Sequence, residues 1–275
     1  MNRAAVWAIV RKDLASVIRN RGVRIPLMVT PIVVLGVLPL ILVLGGDALA
    51  AAAPEAVTDG SAPFERIADP EFQEGITGGI PPGARWAVFV LEVFISPLYL
   101  LVPLIVATVI AADSFAGERE RGTLEALLHT PTTDRELLTA KFLAAWLPAM
   151  VVSLVGFAGY SVLANLLAWP ALGRVFFPTA TWLILAFWVA PGIAALGLGI
   201  MVIASSKVQS LQAAHQIGSL VVLPIVVLLI AQITGVLLFE PLLVSLMGLA
   251  VWAVAIFLLL AGARGLERER LAVRL

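Results

Sequence analysis

The charged residues that could do chemistry are concentrated in one stretch of the sequence, GERERGTLEALLHTP at positions 117–131. It contains Glu118, Arg119, Glu120, Arg121 and Glu125, although only 13% of the 275 residues are charged. Acids and bases alternate, so the stretch is suited to salt bridges with a complementary surface and not to catalysis.

Groups that an enzyme or metal site would need are otherwise scarce. The sequence has no Cys and two His, and it contains no H-E-x-x-H, G-x-G-D or G-x-S-x-G motif. It also lacks G-x-x-x-x-G-K-[ST], with which P-loop proteins hold nucleotide phosphates. We therefore expect no catalytic residue, no metal site and no cofactor in this chain, and an intramembrane enzyme is a disfavoured alternative.

The composition places the chain in a membrane. It is 61% hydrophobic with a mean hydropathy of +1.03, more apolar surface than a soluble domain of this length could bury. A hydrocarbon core about 30 Å thick needs about 20 helical residues per crossing, and helices satisfy their own backbone groups in lipid. We predict a single-domain (1–275) all-α polytopic membrane protein with six transmembrane helices, at 26–45, 86–112, 142–168, 179–204, 217–238 and 242–262.

The distribution of Lys and Arg predicts the orientation. Fifteen of the 18 basic residues lie in the N-terminal segment, in the loops 113–141 and 205–216, and in the tail 263–275. Only Arg66, Arg85 and Arg174 lie on the other side. Because basic residues are enriched in cytoplasmic loops, we predict that both termini are cytoplasmic and that 46–85 is an external lobe.

Residues 4–24 are predicted to form an amphipathic elbow helix in the cytoplasmic interface. Apolar Trp7, Val10, Leu14, Val17 and Ile18 recur at steps of three and four, and polar side chains occupy the other side. The helix either serves only as a topogenic flank or also contacts a cytoplasmic partner. The residues predicted for that contact are Trp7, Arg11, Lys12, Asp13 and Leu14.

The loop 113–141 divides into two predicted helices. Gly122 disfavours a continuous helix, and Thr123 can cap a short new one, TLEALLH, which stops before Pro131. Thr133 and Glu136 have the spacing of a capping box, which predicts a second helix continuing through Lys141 into the third span. The first helix, held between two breaks at the membrane surface, is predicted to be a docking element.

Glu92 is the one acid well within a predicted span, and an acid in that position is expensive enough to indicate a role. Arg85 lies seven residues earlier, on the same side of an α-helix, and is a predicted ion-pair partner. The alternative is that Glu92 contacts a substrate or ion on a translocation path.

Other residues of the spans are predicted to serve helix packing. Asn165 and Gln232 are expected to make interhelical hydrogen bonds, and the small residues Gly156, Gly159 and Gly199 are expected to let helices approach closely.

The motif E-R-E-R-G-T-L-E-x-L-L-x-T-P, followed by Lys141 ten residues after the Pro, resembles the signature of type 2 ABC transporter permeases. These are six-helix membrane subunits of bacterial exporters, and the N-terminal R-K-D-L followed by R-N-R is similar to their elbow helix. The external lobe looks closer to that of sodium-efflux-type permeases. The resemblance implies a location in the bacterial inner membrane.

The resemblance also implies a mechanism and partners. The helix between spans 2 and 3 would be a coupling helix seated on a separate ABC ATPase, present in two copies, which holds ATP and Mg²⁺. A second permease copy or a paralogue would complete the path. The residues predicted to contact the ATPase are Glu118, Arg119, Glu120, Arg121, Thr123, Leu124, Glu125, Leu127 and Leu128.

Two alternatives stay open from the sequence. The same architecture could transmit ATP-driven motion to an extracytoplasmic partner at the 46–85 lobe without transport. The N-terminus, with ALAAAAPEA after its first apolar run, also resembles a cleavable signal peptide. We favour an uncleaved first span, because the apolar run is longer than the 7–15 residues usual for a signal peptide.

Overall fold

The computed structural model describes residues 3–52, 80–120, 133–207, 211–233 and 239–265, and this part of the chain is helical with no strand. Helix α1 is Arg3–Arg19. Six apolar helices follow in the described residues, and three of them are made of α-helical pieces joined by π-helical turns. The first three are α2 (Arg21–Ile32, the π turn Val33–Val37, and Leu38–Ala52), α3 (Pro82–Val88, the π turn Phe89–Phe94, Ile95–Tyr99, Leu101–Ala112, the π turn Asp113–Gly117, and Glu118–Glu120) and α4 (Asp134–Leu172). The last three are α5 (Ala180–Ile184, the π turn Leu185–Val189, and Ala190–Lys207), α6 (Leu211–Leu220 and Leu223–Ile233) and α7 (Pro241–Gly265).

The six predicted transmembrane helices are confirmed. Helices α2 to α7 each contain a stretch long and apolar enough to cross a membrane. The predicted external lobe and the predicted docking helix around 123–129 fall largely or wholly outside the described residues, so both stay predictions.

Helix α3 forms the centre of the bundle. In its most apolar 18 residues 72% are buried, against 17% in α2, α6 and α7, and it contacts α2, α4, α5 and α6. A displacement of α3 would therefore be felt by most of the bundle, because packed interiors transmit strain.

The elbow helix ends at Arg19, five residues earlier than predicted. Asn20 has an extended backbone and caps the next helix, since its side-chain oxygen accepts a hydrogen bond of 3.0 Å from Gly22 N. This interruption of the helix allows α1 to take a different direction from α2. Helix α2 starts at Arg21 and not at residue 26.

Neighbouring helices donate hydrogen bonds to carbonyls of three of the four π turns. A π turn disturbs the regular i→i−4 pattern and leaves carbonyls in need of a partner, which lipid cannot supply. The bonds are Tyr160 Oη to Leu91 O (2.5 Å), Trp182 Nε1 to Glu92 O (3.2 Å), Lys141 Nζ to Ser114 O (2.7 Å) and Trp252 Nε1 to Trp188 O (3.1 Å). Both π turns of α3 are thus fixed by other helices.

The capping box at the start of α4 is confirmed. The Thr133 hydroxyl accepts a hydrogen bond from Glu136 N at 3.3 Å, and the Glu136 carboxylate accepts one from Thr133 N at 3.0 Å. The loop that ends here therefore returns to the bundle at a defined residue.

Of the two predicted interhelical hydrogen bonds, one is confirmed. Gln232 Nε2 donates to Ser96 Oγ at 3.1 Å and joins α6 to α3. Asn165 instead bonds the backbone after its own helix, accepting from Phe176 N (3.0 Å) and Phe177 N (3.2 Å) and donating to Phe177 O (2.7 Å). Its prediction was wrong because α4 is followed by an extended segment whose backbone groups lack regular partners.

Candidate functional site

The candidate site lies where the elbow helix α1 meets the end of α3 and the start of α4. Val6 and Val10 of α1 pack on Ala140 of α4, which brings the next residue, Lys141, against the last turns of α3. Lys141 is only 1% exposed. A buried lysine is rare unless it is paired, so its surroundings identify what the site is built to hold.

Each proton of the Lys141 ammonium group has an acceptor. The Nζ atom donates to Glu118 Oε2 at 2.5 Å, to Ser114 O at 2.7 Å and to Ser114 Oγ at 3.1 Å. It also lies 5.2 Å from the centre of the Phe115 ring, a cation–π distance. A fully bonded ammonium group can be held in the interior without a free donor.

The elbow helix supplies the second half of this arrangement. Lys12 Nζ donates to Glu118 Oε1 at 2.8 Å, and the Ser114 hydroxyl donates to Asp13 Oδ2 at 3.3 Å. Asp13 lies 3.4 Å from Lys12 Nζ and 3.9 Å from Lys141 Nζ. We call Lys12, Asp13, Ser114, Glu118 and Lys141 the buried ion cluster; its two formal positive and two formal negative charges balance.

A second polar link joins the same helices next to the cluster. Asn20 Nδ2, at the junction of α1 and α2, donates to Asp113 Oδ1 at 3.1 Å in the second π turn of α3. Because Asn20 also caps α2, this bond ties the turn between α1 and α2 to α3. Together the cluster and this link hold the elbow helix against the end of α3 and the start of α4, which are the two stems of the loop 121–132.

The electrostatics of Glu118 follow from this arrangement. Burial alone would raise the pKa of Glu118, but the charges and hydrogen bonds of Lys141 and Lys12 outweigh burial and hold it below the ordinary value of 4.5. For Lys12, burial acts to lower the pKa, and the hydrogen bond and charge of Glu118, together with Asp13, raise it above 10.5. Both shifts favour the charged forms.

The lowered pKa of Glu118 predicts an acid-sensitive contribution to stability. A carboxyl whose pKa is lower in the folded state stabilises the fold above its unfolded value of 4.5, and this contribution is lost as the pH falls through the folded pKa. We expect the thermal unfolding temperature of the detergent-solubilised chain to decrease as the pH is lowered below about 4.5, and to decrease less steeply in Glu118→Gln. Glu240→Gln, at an exposed acid, should keep the steeper dependence; parallel curves for all three proteins would contradict the assignment.

The structure distributes the residues predicted for ATPase contact between interior and surface. Glu118 is 6% exposed and turned into the buried ion cluster, whereas Glu120 is exposed. Glu118 therefore holds the loop stem in this structure and does not offer a surface charge. Arg119 lies in the last turn of α3; Arg121, Thr123, Leu124, Glu125, Leu127 and Leu128 lie outside the described residues, and the docking role of the set stays a prediction.

The predicted faces of the elbow helix are rotated in the structure. Its buried residues are Val6, Val10, Asp13 and Val17, with Leu14 half-buried beside them. Trp7 is 54% exposed, and Arg11 and Lys12 are also exposed. Asp13 was expected on the solvent side; it faces inward because Ser114 and the two lysines of the cluster surround its carboxylate.

Sequence reasoning missed the residue at the centre of the site. Lys141 appeared in the motif but received no role, and Ser114 was not singled out. Lys141 lies on the buried face of α4. Its neighbours on that face, Leu137, Ala140, Ala144 and Ala145, are all buried apolar residues. A charge on that face was the available signal.

Glu92, the acid within a predicted span, is half-buried in the first π turn of α3. The predicted ion pair with Arg85 is absent among the described residues, and Arg85 Nε is buried without a hydrogen-bond partner. The pairing assumed α-helical geometry, in which residues seven apart align; the π turn Phe89–Phe94 widens one turn and breaks that alignment. Thr179 Oγ1 is likewise buried with no hydrogen-bond partner in the described part of the chain.

The family follows from a match that spans most of this architecture. A family model described as ABC-2 family transporter protein matches residues 7–246, from the elbow helix α1 into α7. The chain belongs to the ABC-2 transporter family. The resemblance to type 2 ABC permeases is thereby confirmed, and no curated protein matches the chain.

Membership in the ABC-2 family gives the broad function. The chain is a multi-pass permease subunit of an ABC transporter, a membrane component that is not itself catalytic. Such a permease implies an ABC ATPase as a partner. The buried ion cluster lies in the matched region, at both stems of the loop between the second and third apolar helices.

Proposed function

We propose that this ABC-2 permease works in an exporter, where the segment 119–128 and the elbow helix dock on an ABC ATPase and pass its ATP-driven movement into the bundle. The ATPase holds ATP and Mg²⁺ and is present in two copies, and a second permease copy or paralogue completes the path. Both termini are cytoplasmic, in a bacterial inner membrane.

The observation that carries this proposal is the buried ion cluster. Glu118 precedes the loop 121–132 by three residues, and Lys141 follows it by nine. Their side chains meet at 2.5 Å, and Lys12 of α1 bonds the same carboxylate. A partner that pushes the loop or the elbow helix therefore moves α3 and α4 together, unless these bonds break.

The position of α3 extends the movement to the rest of the bundle. Its inner end carries the cluster, and its outer end carries Glu92 in a π turn fixed by Tyr160 and Trp182. Since α3 is the most buried of the six apolar helices, its displacement would reach both membrane surfaces. We include Glu92 in the translocation path on this basis.

Charge reversal at the loop tests the docking. In the chain co-expressed with its partner ABC ATPase, Glu120→Lys with Arg121→Glu should reduce co-purified ATPase about tenfold, a loss of about 1.4 kcal/mol in binding. The matched control is Glu240→Lys with Arg174→Glu, which alters an exposed acid and an exposed base on the predicted external side. Equal recovery of ATPase by both variants would exclude the loop as the docking surface.

Transport is tested with the intact complex in vesicles that expose the ATPase. ATP should drive uptake of a substrate into everted vesicles, with sodium among the candidates. ATP turnover that moves none of the candidates, together with an extracytoplasmic protein bound to the 46–85 lobe, would instead support force transmission without transport.

A further inference from the structure

The N-terminal end of the chain carries five arginines that no acid in the described part of the chain neutralises. Arg3, Arg11, Arg19, Arg21 and Arg24 are all exposed, and none of their guanidinium groups makes an ion pair or hydrogen bond with another described residue. The nearby carboxylates of Asp13 and Glu118 are already occupied by lysines. This charge is therefore available to an external anion.

Two of these arginines continue a lipid-facing stripe of α2. Arg21, Ile25, Met28 and Ile32 follow one another at steps of four and three on one exposed face, and Arg24 stands one turn above Met28. The exposed fractions are 56% for Ile25, 58% for Met28 and 58% for Ile32. These exposed apolar residues belong to a helix long and apolar enough to cross a membrane, and the two arginines stand at its end, where lipid phosphates would lie once the helix is inserted.

The elbow helix repeats this pattern. Trp7, Arg11 and Ile18 lie at steps of four and seven on one side of α1, and Ile18 is 66% exposed. The side that packs on α4 through Val6 and Val10 lies roughly 100° further round the helix. An exposed Trp and Ile beside an unpaired Arg is typical of a helix lying at the lipid headgroups.

We propose that Arg11, on α1, and Arg21 and Arg24, on α2, bind the headgroups of anionic phospholipids whose acyl chains lie against Trp7 and Ile25 respectively. A planar guanidinium group binds phosphate through two parallel hydrogen bonds, and arginine clusters at the cytoplasmic end of a transmembrane helix attract anionic lipids. A lipid is favoured over a protein partner because each arginine stands in line with apolar residues exposed at membrane depth. The inference rests on membrane insertion alone and does not require transport.

Arg11 directly precedes Lys12 and Asp13, which belong to the buried ion cluster. A lipid bound at Arg11 would therefore hold α1 from the membrane side while the cluster holds it from the protein side. Anionic lipid content then becomes a determinant of how firmly the elbow helix is seated.

Lipid titration by native mass spectrometry of the purified full chain tests the proposal. Phosphatidylglycerol should bind the unaltered chain more tightly than phosphatidylcholine. Arg11→Gln should weaken phosphatidylglycerol binding about fivefold, and the triple change of Arg11, Arg21 and Arg24 to Gln about 100-fold. Changing the same three residues to Lys, which keeps the charges but not the paired hydrogen bonds, should weaken binding less than the triple Gln change and more than no change.

Arg19→Gln is the matched control. It removes the same charge from the same helix, but Arg19 shares its side of α1 with Lys12 and not with Trp7 and Ile18; we expect less than about a twofold loss. Equal losses for Arg11→Gln and Arg19→Gln, or equal binding of the two lipids by the unaltered chain, would overturn the proposal. So would a triple Gln variant that binds phosphatidylglycerol normally but loses its ATPase, because the surface would then belong to a protein. If the triple Gln variant does not fold, the comparison of the single variants Arg11→Gln and Arg19→Gln decides.

Discussion

Lys141→Met is expected to destabilise the bundle by about 3–5 kcal/mol, the loss typical when one partner of a buried ion pair is removed. The substitution keeps the length and apolar stem of the side chain. It leaves Ser114 O without its donor and Glu118 with Lys12 as its one remaining cluster cation. The free energy of unfolding, measured in mixed detergent micelles, should report the loss directly.

Two further variants separate the charge from the packing. Lys12→Met removes the other cation of the cluster, but its side chain is 52% exposed, so the cost should stay within about 1 kcal/mol. The double change Lys141→Met with Glu118→Met removes both buried charges, and apolar replacements of a buried pair are often close to neutral. We expect the double variant to be more stable than Lys141→Met alone. A Lys141→Met chain as stable as Lys12→Met would show that the cluster is not a structural joint.

Much of the fold was predictable because lipid imposes a simple rule on sequence. Each crossing needs a long apolar run, and the six runs found by length are the six apolar helices of the structure. The capping box at Thr133 was predictable for a similar reason, since its hydrogen bonds join residues three apart. Local rules therefore located the helices that bring the site together.

The contacts of the site itself were not predictable from local rules. Lys12 and Glu118 are 106 positions apart, and Lys141 and Glu118 are 23 apart. A charge read from sequence is expected to face water, because charged residues are almost never fully buried unless paired. Asp13 and Glu118 were assigned to the surface on that rule, and their partners were visible only in three dimensions.

The π turns account for the other failure. Nothing in FVLEVF distinguishes a π turn from an α-helix, yet the turn decides which residues align with Glu92. Such turns persist where neighbouring side chains satisfy the disturbed carbonyls, as Tyr160 and Trp182 do here. Their positions depend on tertiary packing and are therefore not encoded in a single helix's sequence pattern.

The prediction that small residues bring helices together is confirmed at one pair of sites and wrong at another. A Cβ atom added to Gly199 would lie 2.9 Å from Leu258 Cβ and 3.3 Å from the backbone nitrogen of Leu259, and at Gly156 it would lie 3.0 Å from Leu35 Cδ1. At Gly159 it would meet nothing within 4 Å, because this residue lines an apolar groove of about 580 Å³ between α2 and α4. The same residue type thus serves close packing at one site and leaves space at the other.

We expect Gly199→Ala and Gly159→Ala to change stability in opposite directions. At Gly199 the methyl group must push apart the backbones of α5 and α7, which should cost about 1–3 kcal/mol. At Gly159 the methyl group enters open space, and the better helix propensity of Ala should stabilise the chain by up to about 1 kcal/mol. Unfolding of the two variants side by side in one detergent measures the difference, and because the chemical change is identical, detergent and charge effects cancel. If both variants are more stable than the unaltered chain, helix propensity alone governs these glycines, and the close contact of α5 with α7 would not be a determinant of stability.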